Sequence, residues 1–115
     1  MDEPRDSLPS QITNILRDIT PPSSGERFEE LSRMGATVVE RIVSSSAPHT
    51  ALQVQSHDEW VALLLGEATL EVDGKEVRLE PGDSLLLPSG TPHRVLCTSA
   101  GALWLAVHVR PPAGQ

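Results

Sequence analysis

The residues best placed to do chemistry in this chain are Gln53, Gln55, His57 and Glu59, which alternate along one stretch, and His93, which follows two tight turns further on. Side chains on an extended strand point alternately to opposite faces, so the four odd-numbered residues share one side if no bulge intervenes. Two amides, a carboxylate and imidazoles that titrate near neutral pH make a cluster able to hydrogen-bond a small polar molecule. His57 lies at a Ser-His-Asp turn, where the alternative is a solvent-exposed histidine. His93 is a pocket group or a core histidine bonded to backbone. His108 shares parity with Trp104 and Ala106 and is either a pocket group or an edge residue. Cys97 has the parity of His93 and lines the same wall or simply packs among apolar neighbours. His49, in a loop rich in Ser and Pro, is expected to be exposed. The chain contains no Tyr, so no phenol is available as acid or base.

The elements that must position these groups are short. In Pro81 to Val95, PGDSLLLPSGTPHRV, a Pro-Gly-Asp turn, an apolar strand and a second turn deliver His93 at a strand start. Ala68 to Val72 and Lys75 to Glu80 alternate on either side of Asp73-Gly74, the strongest hairpin signal in the chain. Further strands are expected at Thr37 to Val43, Ala51 to Gln55, Glu59 to Leu65, His93 to Thr98 and Ala102 to Arg110. Before them, the spacing of Phe28, Leu31 and Met34, the early glutamates and Gly35 predict one helix over GERFEELSRMG. Ile12, Ile15, Leu16 and Ile19 suit a helical face, a strand or irregular packing, cut off by Pro21-Pro22. Residues 1–10 read as a loose arm and 111–115 as a fraying tail around a domain over 11–110. Seven to nine short strands after one short N-terminal helix give an all-β protein of sandwich or jelly-roll barrel type.

Composition narrows the function classes. The 115 residues suffice for one core. Nine Lys and Arg against sixteen Asp and Glu give a net charge of −7, which disfavours nucleic acid and anionic membranes. No apolar run approaches the ~20 residues that span a bilayer. One cysteine, and a start without a signal-peptide pattern, lead to the expectation of a cytoplasmic protein. Trp60 to Leu65 and Leu103 to Val107 are apolar on both faces, so their outer sides need cover from the N-terminal segment or from a second subunit; a homodimer is the expectation.

The spacing Gly82, Pro88, Gly90, His93 also resembles the second signature of the cupin superfamily, and Glu59 and Gly66 keep the interval of the first. The resemblance covers roughly Gln53 to Val109 and implies a cupin-type jelly-roll barrel. It also implies a divalent metal such as Fe, Mn, Ni or Zn, with Glu59 and His93 on ligand positions. Gln53 and Gln55 stand where the family has its two other imidazoles, and an amide oxygen is a weak ligand for such metals. Gln55 or His57 would then complete the metal sphere, with Gln53, Cys97, Trp104 and His108 lining the pocket. Two functions fit: a module that binds a small polar molecule, and a metal-dependent enzyme of dioxygenase, isomerase or lyase type.

Overall fold

The computed structural model describes residues 12–48 and 50–111; the expected arm, His49 and most of the expected tail lie outside them. Eight strands follow one another: β1 Glu26–Met34, β2 Thr37–Ser44, β3 Asp58–Leu65, β4 Ala68–Val72, β5 Lys75–Leu79, β6 Ser84–Leu87, β7 His93–Thr98 and β8 Ala102–Val109. They form a five-stranded sheet in the order β1-β2-β8-β3-β6 and a three-stranded sheet in the order β5-β4-β7. Every strand pair is antiparallel. Ile42, Val61, Leu63, Leu70, Leu79, Leu87 and Trp104 belong to one buried core cluster drawn from both sheets. The fold is therefore all-β, as the strand signals require.

The expected helix over Gly25 to Gly35 is instead strand β1, paired along its length with β2. Phe28, Leu31 and Met34 do carry a helical spacing. Glu26, Phe28 and Glu30, however, face the interior cavity with the period of a strand, and the β-branched residues of β2 supply a template. Gly35, read as a helix stop, sits with Ala36 in the turn of the β1–β2 hairpin. The strand expected at Ala51 to Gln55 is also corrected: only Gln53 bridges, to His93, through reciprocal backbone hydrogen bonds of 2.8 and 2.9 Å.

Asp73 and Gly74 both have positive φ, 52° and 81°, as the two-residue β4–β5 turn demands. The two motif regions are stitched together by backbone. Gly82 donates to the Leu63 carbonyl at 2.7 Å, and Gly90 donates to the Gln55 carbonyl at 2.7 Å. Outside the five-stranded sheet, Arg41 is buried and donates to the carbonyls of Ile15, Arg17 and Asp18 and to the Glu29 carboxylate. It straps the irregular N-terminal segment over part of the apolar outer face.

Candidate functional site

Between the sheets lies a cavity of about 390 Å³, within the usual range for small-molecule sites. Its inner end is apolar, with Ile42, Val61, Leu70, Leu87 and Trp104. Its polar groups come from several strands. Gln53, Gln55, His57 and Glu59 all line it, and so do His93, Trp104 and His108. Of the first four only Glu59 lies on a strand, so irregular backbone before β3 rather than strand alternation turns the other three inward. Cys97 does not: it is exposed outside this cavity. The reason is a bulge. Thr69 pairs with Cys97 but Leu70 with Val95, so one extra residue in β7 reverses the parity between His93 and Cys97.

The geometry of the site follows from register. Glu59 and His108 are direct cross-strand partners of β3 and β8, and their side chains approach to 3.9 Å. His93 enters from the opposite sheet, with Nε2 3.9 Å from Glu59 Oε1. Its Nδ1 lies 3.0 Å from the Thr91 carbonyl. A carbonyl only accepts, so neutral His93 carries its proton on Nδ1 and leaves Nε2 towards Glu59.

A second set of contacts runs along one wall. His108 Nε2 lies 2.9 Å from Glu40 Oε1, and His108 Nδ1 lies 2.9 Å from His57 Nε2. The Arg110 guanidinium reaches His57 Nδ1 at 3.5 Å. Glu40, Glu26 and Arg110 were not singled out by sequence reasoning. The available signal was the even parity of Val38, Glu40 and Ile42 on β2, which puts a carboxylate on an otherwise apolar inward face.

Burial is the main cause of the raised pKa of Glu59, opposed by the nearby His108 and His93. Burial likewise raises Glu26, although the Ser44 hydroxyl donates to it at 2.6 Å. His57 is lowered by burial and then by Arg110 and His108. His108 is raised chiefly by its hydrogen bond to Glu40, against its own desolvation. The His57–His108 pair therefore takes its first proton on His108, where a carboxylate stabilises the imidazolium.

The all-β two-sheet fold is the one the resemblance implies, and the comparisons agree. A family model described as Cupin domain matches residues 43–108, and the chain belongs to the cupin family. A protein of Ralstonia eutropha JMP134, described as a candidate mannose-6-phosphate isomerase, is 31% identical over 87% of this chain and 98% of its own, with a TM-score of 0.77. A cupin superfamily protein of Desulfitobacterium hafniense DCB-2 shares 16% identity over 90% of this chain and 95% of its own, at 0.74. An RmlC-like cupin of Shewanella frigidimarina NCIMB 400 shares 17% over 82% and 84%, at 0.70. The last two likenesses concern the fold alone. No curated protein matches the chain.

Cupins often hold a metal, so the donor set here needs testing against one. Among the described residues no group of three or more His, Cys, Asp or Glu side chains is placed to hold an ion. His108 is engaged at both ring nitrogens, by Glu40 and His57, and the remaining Nδ1 of His57 lies beside the Arg110 guanidinium, whose positive charge opposes a metal cation there. Glu59 and His93 remain, with the amide oxygen of Gln55, a buried atom lacking a hydrogen-bond partner. One imidazole, one carboxylate and one amide do not fit a resident transition metal, which favours imidazole and thiolate donors. The arrangement expected on Gln55, His57, Glu59 and His93 thus lacks its usual nitrogen ligands.

Proposed function

We propose that this cupin binds a small hydroxyl-rich molecule of sugar size directly through its side chains. The observation that carries this reading is the cavity itself, with an apolar floor and a wall of Glu59, His93, Gln55 and His108. Carboxylate oxygens accept from hydroxyl groups, and the unpartnered Gln55 Oε1 needs a donor that a ligand hydroxyl would supply. Arg33 and Arg94 also line the cavity but are paired with Glu30 and Glu71. Arg110 has no carboxylate partner among the described residues, which leaves a cation for a phosphate or carboxylate on the same ligand. The name of the 31% identical protein points to the same class, a sugar bearing a phosphate.

Titration of the ¹⁵N-labelled protein with mannose 6-phosphate and with mannose tests the reading. Saturable shifts at residues around Gln55, Glu59 and His93 are expected, larger for the phosphorylated sugar and reduced for it in Arg110→Ala. No shift with either sugar at millimolar concentration would overturn the reading. Parallel calorimetry with Zn, Ni, Mn and ferrous ions separates direct binding from metal-mediated binding. Tight binding of an ion that His93→Ala abolishes would replace direct binding by a metal-held ligand.

A further inference from the structure

The Glu40–His108–His57 chain has a direction. An ionised Glu40 carboxylate only accepts, so His108 Nε2 must carry the proton at their 2.9 Å contact. Neutral His108 then presents the lone pair of Nδ1, and His57 Nε2 must donate to it across 2.9 Å. That fixes the tautomer of His57 in turn. Its Nδ1 is left as a lone pair on a cavity-lining residue, with the exposed Arg110 guanidinium 3.5 Å away. An exposed guanidinium at that distance is easily drawn to an anion. Charged groups around the pair come from four places: Glu40 on β2, Glu59 and Asp58 on β3, His93 on β7 and Arg110 after β8.

We infer that this chain is an acid–base relay in which His57 Nδ1 removes a proton from the carbon next to a carbonyl in an α-hydroxy carbonyl ligand of sugar type. The inference rests on the ligand reading above and adds a reaction to it. In the step, the C–H bond breaks, its electron pair passes into an enediolate, and an N–H bond forms at His57 Nδ1. The proton on His57 Nε2 moves to His108 Nδ1, and the resulting imidazolium keeps its Nε2–H on Glu40. Reversal returns the proton to the same carbon, giving exchange; delivery to the neighbouring carbon, with the enediolate's hydroxyl proton passing to the former carbonyl oxygen, gives isomerisation. No oxidant, reductant or metal is required. His57 is the catalytic residue of this step; His108 and Glu40 are positioning residues, which hold the tautomer and stabilise the proton once it has moved.

Fructose 6-phosphate and mannose 6-phosphate incubated with the protein in D₂O, followed by proton NMR, test the inference. Deuterium should enter at the carbon beside the carbonyl faster than in buffer. General-base catalysis supplies roughly 10²- to 10⁴-fold, so His57→Gln should fall by at least ~10²-fold towards the buffer rate. Glu40→Gln should slow exchange with ligand-induced shifts unchanged, and Glu40→Asp should recover part of the rate, which a purely structural role would not produce. No exchange by the native protein, or undiminished exchange in His57→Gln that still melts cooperatively, would overturn the inference. Ligand-induced shifts in the same samples tell the two readings apart. Binding without exchange removes only the relay, whereas absence of both removes the ligand reading as well.

Discussion

Glu59 is the residue at which function and stability pull apart. It is 7% exposed, and its pKa is raised first by burial, so the folded state holds its proton more tightly than the unfolded chain does. A carboxyl raised in this way contributes stability below its unfolded value of about 4.3, and that contribution is lost as pH climbs through the higher folded value. Glu59→Gln, which removes the ionisation, should therefore raise the melting temperature at pH 8 and lose that advantage near pH 4. An unchanged difference between the two pH values would contradict the burial argument. His108 has the same sign for another reason: Glu40 stabilises its imidazolium, so its contribution is present below about 6.5 and fades at higher pH. His57, lowered by burial, has the opposite sign.

At the level of elements, the site depends on turns that hold the strands in register. Gly66 follows β3 at φ +85°, and a Cβ built there would lie 2.7 Å from Ser99 Oγ and 2.9 Å from Ala102 Cα. The second contact is backbone and has little freedom to give. Gly66→Ala should destabilise by about 1–3 kcal/mol, combining strain at positive φ with displacement of β8. Gly74, with nothing within 4 Å, faces only the backbone term, so Gly74→Val should cost less than a residue that is both strained and crowded. Chemical denaturation of the two variants measures both; equal costs would contradict the close packing at Gly66. These turns were also the most legible part of the sequence, because Asp-Gly and Pro-Gly-Asp carry local conformational requirements. β1 was not legible. Its sheet pairing is decided by β2, a partner beyond its own spacing, and its exposed edge position leaves Phe28 and Met34 without the burial that marks a strand face.

Across the whole molecule, the signature around His93 and the strand position of Glu59 pointed to the cavity, whereas Gln53, Gln55 and His57 reach it from irregular backbone before β3, where alternation does not apply. Glu40 and Arg110 were hidden, since their role arises only when β2, β8 and the approach to β3 are laid side by side. The misplacement of Cys97 has the same origin: a bulge leaves no mark in the alternation. On the outer face, Val39, Val107, Trp60 and Leu86 are cross-strand neighbours in one row, beside the row strapped by Arg41. Trp60 and Leu86 are exposed, 39% and 57%. We propose a second copy of the chain as the cover for this row, since a two-fold pair would set the same apolar strip against itself. Sedimentation should give twice the 12.4 kDa chain mass, and Trp60→Glu should give the monomer; a native monomer at micromolar concentration would contradict it. The central claim, that the fold assembles a directed chain from Glu40 through His108 to His57, is tested most directly by long-range ¹H–¹⁵N spectra of the imidazoles across pH. Neutral His57 and His108 should both carry their protons on Nε2 and His93 on Nδ1, His108 should protonate before His57, and Glu40→Gln should lower the pKa of His108. Protonation of His57 first, or a His108 indifferent to Glu40→Gln, would contradict the account.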